Sequence, residues 1–208
     1  MAVTFDLFGT LVDVDRPDDP AAAIAAELSA RSVDVPDDWG TLYRQRHVDA
    51  PAGAEVPLPA HVAAALQSRD IKTPDNVARR AVVAAFDPEV STRDGASRAV
   101  AAARRQGAIG LVSNCSVPEL VGRTLVRSEL SRSTFDAIVT SASCGWRKPH
   151  EQVFATAASL LDTEPASLTH VGDDPETDGG IVAVGGQFVD VTAAPLASIA
   201  RQLESGQL

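Results

Sequence analysis

An aspartate near the start of this chain lies where a carboxylate could act as a nucleophile. Asp6 follows a short apolar segment and is followed by Phe8 and the turn-forming pair Gly9 and Thr10. In an α/β protein, the carboxyl end of a strand faces the crevice where ligands bind. A carboxylate there can attack phosphorus or carbon and form a covalent ester. We therefore interpret Asp6 as a nucleophile and Thr10 as a donor to an anionic substrate group, although Asp6 would also suit the cap of a turn.

Two later segments carry side chains that suit an anionic reacting group. Ser113 and Asn114 end an apolar run, where a hydroxyl can hold a substrate oxygen or cap a following helix. Lys148 precedes Pro149, and an ammonium there can neutralise the charge that develops during group transfer. The chain has only two lysines, Lys72 and Lys148, against sixteen arginines. A lysine kept in so arginine-rich a protein indicates a role that needs a compact point charge.

The acidic run GDDPETD, from Gly172 to Asp178, is the fourth candidate segment. It follows an apolar segment that predicts a strand, so Asp173 should face the same crevice as Asp6. Carboxylates crowded at one strand end repel each other unless a positive charge lies among them. We predict Mg²⁺ here, because this hard cation binds through one or two carboxylates, waters and substrate phosphate. A solvated acidic loop is the other interpretation.

Composition limits the possible partners of the chain. Its 208 residues suffice for an α/β core with a small inserted domain, and 45% of them are hydrophobic. The formal net charge of −10 argues against nucleic acid, because phosphate binding needs clustered Lys and Arg. No apolar run reaches the roughly 20 residues that a membrane helix needs. We expect a small-molecule substrate, no nucleic-acid partner and no membrane partner, while the sequence leaves the oligomeric state open.

The sequence also favours a cytoplasmic protein. The first predicted strand begins almost at once, which leaves no room for a signal peptide. Two cysteines, Cys115 and Cys144, are too few for a disulfide framework. Abundant Ala and Asp with scarce Lys resemble halophilic proteins from organisms with GC-rich genomes. Codon bias alone would give the same composition, so both interpretations stay open.

Apolar runs bounded by polar turns alternate with helical patterns, which predicts a parallel sheet covered on both faces. The predicted strands are Val3–Leu7, Ile109–Ser113, Ala137–Thr140, Leu168–Val171 and Gln187–Val189. The predicted helices of this part are Asp94–Gln106, Pro118–Leu130, Pro149–Leu161, Asp178–Val184 and Ala194–Leu203.

The segment from about Val14 to Thr92 breaks this alternation and contains no convincing strand. Its patterns predict four helices with Pro-rich joints between them. We therefore predict a core of residues 1–14 and 93–208 and a helical cap of residues 15–92. The four predicted cap helices are Ala22–Arg31, Trp39–His47, Ala60–Ser68 and Asp75–Phe86.

The nucleophile, hydroxyl, lysine and acid cluster, in this order, resemble the haloacid dehalogenase (HAD) superfamily of hydrolases. The resemblance covers about Ala2–Val14 and Asp94–Val191. It implies a Rossmann-like core with an inserted cap, a covalent intermediate on Asp6, and contacts of Ser113 and Lys148 with the transferred group. It also implies a metal site made by Asp6, the backbone carbonyl of Phe8 and Asp173, with Asp178 in support.

The first motif of this chain departs from the usual pattern of the superfamily. That pattern is Asp-x-Asp-x-Thr, and its second aspartate serves as general acid and base in the phosphatases. Phe8 takes this place here. L-2-haloacid dehalogenases carry an aromatic residue there and need no metal. The pair Ser113 and Asn114 also resembles theirs. So does the sequence LYRQR around Arg44, where these dehalogenases have an arginine that holds the substrate carboxylate or halide.

The fourth motif resembles the phosphatases instead. Dehalogenases replace the acidic pair with Ser and Asn, whereas this chain keeps Asp173, Asp174 and Asp178. Several acids around an anionic nucleophile would obstruct a metal-free enzyme that attacks an anionic substrate. We therefore predict a magnesium-dependent phosphatase that acts on a small organic phosphate. The alternatives are an L-2-haloacid dehalogenase and a catalytically weak family member with a binding or regulatory role.

Overall fold

A parallel sheet of five strands forms the centre of the protein, as a computed structural model that describes residues 2–74 and 76–208 shows. The strands of the sheet lie side by side in the order β5-β4-β1-β6-β7, and a separate antiparallel ribbon joins β2 to β3. In chain order the strands are β1 (Ala2–Phe5), β2 (Val12–Val14), β3 (Val90–Thr92), β4 (Ala108–Ser113), β5 (Ala137–Thr140), β6 (Leu168–Gly172) and β7 (Gln187–Asp190).

Helices connect the strands and cover the sheet. In chain order they are α1 (Pro20–Ser29), α2 (Trp39–Arg44), α3 (Leu58–Gln67), α4 (Val77–Ala85), α5 (Ala96–Gln106), α6 (Leu120–Arg127), α7 (Ser141–Cys144), α8 (Glu151–Leu160) and α9 (Leu196–Ser205). Three short 3₁₀ helices cover Arg132–Thr134, Pro165–Ser167 and Asp178–Val184. None of the described helices has the length and apolar character to cross a membrane.

The central strands are buried along nearly their whole length because both faces of the sheet are covered. Every residue of β1 is buried, and so are the last five residues of β4. Leu111 of β4 joins the apolar cluster that contains Ala99 of α5 and Ile199 of α9. Its neighbour Val112 joins the cluster on the other side, with Phe154 of α8. The predicted α/β fold with a parallel sheet is confirmed, including all five of its strands.

The inserted segment differs from the sequence-based prediction at its end. Val90–Thr92 is a strand, although no strand was predicted in this region, and Val90 pairs with Val14. Helices α1 to α4 thus lie between β2 and β3 in the chain, and the ribbon brings the two ends of this segment together. A three-residue strand gives too little alternation to be recognised in a sequence. The division into a core and a cap of residues 15–92 stays a prediction, and the ribbon favours a return to the core at Val90.

The helices of the insertion also differ from their predicted bounds, most clearly at the end of α2. Helix α2 ends at Arg44 because Gln45 is extended, and the His47 ring lies 2.8 Å from the carbonyl oxygen of Leu42. That carbonyl belongs to the last turn of the helix and also accepts the backbone N–H of Gln45, at 3.0 Å. The predicted start of the fourth cap helix at Asp75 lies outside the described residues.

Candidate active site

The carboxyl ends of β1, β4 and β6 meet at one edge of the sheet and carry the predicted chemical groups. Asp6 directly follows β1, and its backbone N–H donates to the carbonyl oxygen of Val171 in β6, 2.9 Å away. The chain then turns back sharply, because the Gly9 N–H donates to the carbonyl oxygen of Val12 at 2.8 Å. Asp6 is only 7% exposed. Its carboxylate therefore lies at the bottom of the crevice between the strand ends.

Glycine at position 9 permits a close approach between the first and fourth motifs. Gly9 has φ +86°, a region that side chains rarely adopt. A Cβ atom at this position would lie 2.5 Å from the Oδ2 atom of Asp173. Both the turn and the neighbouring carboxylate therefore exclude a side chain here.

Lys148 is the buried cation of the site. Its Nζ lies 2.8 Å from Oδ1 of Asp6 and 2.9 Å from the carbonyl oxygen of Val112, and it also donates to Oδ1 of Asp178. These contacts use all three donors of an ammonium group. Burial by itself lowers the pKa of Lys148, but the Asp6 and Asp178 carboxylates outweigh it and raise the pKa above its usual range. The lysine therefore stays charged beside the proposed nucleophile.

Asn114 holds the backbone of this lysine. Its amide nitrogen donates to the Lys148 carbonyl oxygen at 3.0 Å, and its amide oxygen accepts the Lys148 N–H at 2.8 Å. The amide group that was predicted to bind substrate is thus engaged in fixing the loop before α8. A substrate-binding role of Asn114 stays a prediction, and the structure adds a positioning role.

Ser113 ends β4, the strand that pairs with β1. The residue is 1% exposed, and its Oγ has no hydrogen-bond partner within the part of the chain that the structure describes. A buried hydroxyl without a partner is uncommon in folded proteins and calls for an explanation. A substrate oxygen would satisfy it.

The acidic loop after β6 brings its carboxylates to Asp6. Oδ1 of Asp173 accepts the Thr10 hydroxyl at 2.7 Å, so the hydroxyl of Thr10 holds an acid of the cluster. The Asp178 side chain packs against the backbone at Gly172. A Cβ atom on Gly172 would lie only 2.2 Å from Cγ of Asp178. One carboxylate oxygen of Asp178 accepts from Lys148 and from His170, and the other accepts the Asp174 N–H at 3.1 Å.

The three carboxylates form a group that suits a hard cation. Oxygen atoms of Asp6, Asp173 and Asp178 all lie within 4.8 Å of one another. Among the described residues, Lys148 is the one lysine or arginine that pairs with them. With all three carboxylates ionised, two negative charges therefore remain uncompensated. Carboxylate oxygens are the ligands of Mg²⁺ and Ca²⁺, so both the donor set and the charge fit a divalent cation.

Burial and charge act in opposite directions on the acids. Burial raises the pKa of Asp6 above its ordinary value, although the Lys148 ammonium opposes the shift. Burial would also raise the pKa of Asp178, but the hydrogen bond from His170 and the charge of Lys148 hold it well below its usual range. Asp178 is therefore a carboxylate, and additional positive charge nearby would favour the ionised form of Asp6.

A small cavity of about 130 Å³ lies beside this group of residues. Phe8 and Asn114, which follow β1 and β4, line the cavity on one side. Phe86, from the end of the inserted segment, also lines it. Arg16 lies on its rim, with its guanidinium carbon 5.7 Å from the centre of the Phe8 ring. Cys115 also lines the cavity, but burial raises the pKa of its thiol to about 11. The thiol therefore stays protonated and is no nucleophile at neutral pH.

The structure brings most of the predicted site residues together but places Arg44 elsewhere. Asp6, Phe8, Thr10, Ser113, Asn114, Lys148, Asp173 and Asp178 all surround the crevice at the strand ends. Arg44 is exposed in α2, where it donates to the Gly40 carbonyl oxygen at 2.8 Å, and it does not line the cavity. Its predicted binding of substrate has no support in these contacts.

Sequence reasoning missed two residues that lie at the site. Arg16 reaches the cavity from the exposed joint that follows β2. Nothing in the sequence distinguishes it from the other fifteen arginines as a residue of the site. His170 is fully buried inside β6 and contacts Asp178. Its only signal was an ionisable side chain within a predicted buried strand.

Comparisons with known proteins agree with this geometry. A family model described as haloacid dehalogenase-like hydrolase matches residues 1–185. The chain is 42% identical over 55 residues to bovine haloacid dehalogenase-like hydrolase domain-containing protein 3, a match that covers 26% of this chain and only 22% of the relative.

Solved structures resemble the whole chain at low identity. A 2-haloacid dehalogenase from Pseudomonas syringae pv. tomato has a TM-score of 0.73 at 16% identity, with 100% of this chain and 99% of that chain covered. A protein described as a predicted phosphoglycolate phosphatase from Haemophilus somnus has a TM-score of 0.57 at 15% identity, with 96% of each chain covered. At these identities the likeness concerns the fold.

The contact between Gly9 and Asp173 predicts an unequal effect of two similar substitutions. Gly206 also has a positive φ, +68°, but no atom lies within 4 Å of a Cβ built there. Both Gly9→Ala and Gly206→Ala carry the backbone cost of about 1–2 kcal/mol for a left-handed residue. Gly9→Ala should lower the free energy of unfolding by a further ~1–3 kcal/mol, because the new methyl group collides with Asp173. Urea denaturation of both variants measures this, and equal losses would contradict it.

Proposed function

The chain belongs to the haloacid dehalogenase-like hydrolases, and we propose that within this family it is a magnesium-dependent phosphatase that acts on a small organic phosphate. The observation that carries this proposal is the group made by Asp6, Asp173 and Asp178 around a single lysine. Its two uncompensated negative charges would repel an anionic substrate. A divalent cation removes this obstacle.

The proposed reaction has two steps at Asp6. A carboxylate oxygen of Asp6 attacks phosphorus, the bond to the leaving oxygen breaks, and an aspartyl-phosphate forms. Water then attacks the same phosphorus, which releases phosphate and restores Asp6. We expect the Ser113 hydroxyl and the Thr10 backbone N–H to hold phosphoryl oxygens in both steps, because the Thr10 hydroxyl is engaged by Asp173 and Ser113 Oγ has no partner among the described residues.

Lys148 and the metal have distinct roles in this proposal. Lys148 contacts Asp6 directly and offsets the charge of the nucleophile and of the transferred group. Asp6, Asp173 and the Phe8 carbonyl would hold Mg²⁺, which when bound supplies charge neutralisation for the phosphoryl group and the nucleophile. Asp178 supports them, because two hydrogen-bond donors already occupy one of its oxygens.

A 2-haloacid dehalogenase is the second candidate, and two observations favour it. Phe8 puts an aromatic ring where a phosphatase of the family has its general acid, and a departing halide needs no proton. Arg16 places a cation at the rim of the cavity, where the carboxylate of a haloacid could bind. The retained acids weigh against this candidate, because nothing in a metal-free reaction would balance their charge.

A substrate screen separates these functions. The purified protein is assayed against phosphate esters and 2-haloacids, with and without Mg²⁺, and Asp6→Asn serves as the blank, because an amide is no nucleophile. We expect phosphate release that needs Mg²⁺ and is absent in Asp6→Asn. Halide release without a metal would establish the dehalogenase instead. Ligand binding without turnover of either class would indicate a binding or regulatory protein.

The acid cluster predicts a specific change in metal dependence. Asp173→Asn preserves shape but removes a charged metal ligand, so the Mg²⁺ concentration at half-maximal activity should rise about tenfold or more. Glu176→Gln is the matched control, since it removes one charge from an exposed position of the same loop. Titration of Mg²⁺ against activity, and against the melting temperature, measures the effect. An unchanged midpoint in Asp173→Asn would refute the metal site.

The absence of a general acid at position 8 predicts that the rate of hydrolysis depends strongly on the leaving group. Alkyl phosphates need protonation of the departing oxygen, whereas aryl phosphates hardly do, so the ratio of aryl to alkyl rates should be high. Phe8→Asp should lower this ratio by raising the alkyl rate, because a positioned acid contributes about 10²–10⁴ in rate. Phe8→Leu, which adds no acid, should leave the ratio unchanged. Equal rates on both ester classes in the natural protein would show that another residue supplies the proton.

A further inference from the structure

A buried histidine lies beneath the acidic loop and touches none of the groups that react with substrate in the proposed reaction. His170 is the third residue of β6 and is fully buried. Its Nε2 lies 3.0 Å from Oδ1 of Asp178, and its Nδ1 lies 2.9 Å from the Thr4 hydroxyl. Thr4 is itself buried in β1. The imidazole therefore connects the interior of the sheet to the acid that holds Lys148.

The partners of the ring fix its tautomer. Asp178 is a carboxylate and can only accept, so the Nε2 atom of His170 carries the proton and donates. The Thr4 hydroxyl faces the other nitrogen, Nδ1, and a ring that donates at Nε2 and accepts at Nδ1 is neutral. Its Nδ1 then has a free lone pair and accepts the Thr4 hydroxyl. The hydrogen bonds thus run in one direction: Thr4 donates to His170, and His170 donates to Asp178.

Packing alone does not explain a polar ring at this position. The ring lies edge-to-face on Phe154, with centroids 5.4 Å apart, so an apolar side chain would also find contacts here. Burying a polar group costs free energy unless it is hydrogen-bonded, and both nitrogens of His170 are. What an apolar residue could not supply is the donor to Asp178.

We propose that His170 is a positioning residue that fixes the Asp178 carboxylate so that Lys148 reaches Asp6, and that Thr4 sets the tautomer that this role needs. Asp178 Oδ1 receives the donors of His170 and Lys148, and its Oδ2 receives the Asp174 N–H. Donors on both oxygens hold the plane of the carboxylate. Without His170, that carboxylate can rotate and draw the ammonium away from Asp6. The effect on turnover rests on the proposed function, whereas the effect on Lys148 does not.

Two amide substitutions separate the contacts of the ring. The amide nitrogen of glutamine reaches about as far as Nε2, so His170→Gln can still donate to Asp178. Asparagine reaches only about as far as Nδ1, so His170→Asn loses this donor but keeps a polar group near Thr4. We expect His170→Asn to lower kcat about 10–100-fold with little change in KM, as loss of a supporting hydrogen bond does at ligand sites. His170→Gln should restore most of the loss.

A measurement that needs no substrate tests the same inference. The chain has two lysines and four histidines, so selectively labelled protein gives few side-chain NMR signals. In ¹⁵N-histidine spectra, His170 should show the neutral tautomer with its proton on Nε2. In spectra of lysine labelled at Cε and Nζ, the Lys148 signal should move in His170→Asn and stay close to its wild-type position in His170→Gln. The exposed Lys72 is the internal reference and should not move.

The outcomes distinguish this inference from the proposed function. An unchanged Lys148 signal and an unchanged kcat in folded His170→Asn would overturn the positioning role. A shifted Lys148 signal in a protein that hydrolyses no phosphate would uphold the contact and refute the phosphatase. If His170→Asn does not fold, Thr4→Val and Thr4→Ser take its place. The Lys148 signal should then move in Thr4→Val and not in Thr4→Ser, and no movement in either would overturn the role of Thr4 and His170.

Discussion

The buried ammonium of Lys148 is the interaction on which the rest of the site depends. A buried charge is tolerated only where partners surround it, and Lys148 has three of them, on Asp6, Val112 and Asp178. These partners come from the end of β1, from β4 and from the loop after β6, which lie next to one another in the sheet. The partners of the Lys148 ammonium therefore come together only because β4, β1 and β6 are neighbours in the sheet. Asn114 completes the arrangement by holding the backbone of the same lysine.

The sheet could be predicted from the sequence because its pattern is strong. Each central strand is a mainly apolar run covered on both faces, and helical patterns separate the runs, so a parallel order follows. The β2–β3 ribbon could not be predicted in this way. Its strands, Val12–Val14 and Val90–Thr92, have three residues each and lie far apart in the chain. Their pairing depends on where the inserted segment begins and ends, and no local sequence pattern predicts those two positions.

The site shows the same division between local and long-range information. Asp6 and Asp173 were predictable because the carboxyl ends of parallel strands share one edge of the sheet, and Lys148 because lysine is so scarce in this chain. The partner of each side chain was not predictable. Asn114 binds the Lys148 backbone, and the Thr10 hydroxyl binds Asp173. These pairs join residues 34 and 163 positions apart, and only the folded chain brings them together.

Phe8 places an uncharged ring at a site that already holds three carboxylates. A further carboxylate at position 8 would add a negative charge beside Asp6, Asp173 and Asp178, which already exceed Lys148 by two charges. The phenyl ring avoids this repulsion and offers its face to the Arg16 guanidinium, a contact worth about 0.5–1 kcal/mol at an exposed site. Arg16 thereby stays at the rim of the cavity, where a carboxylate at position 8 would compete for it as an ion-pair partner. We therefore expect a neutral residue at position 8 to leave the Arg16 cation available to an incoming anion.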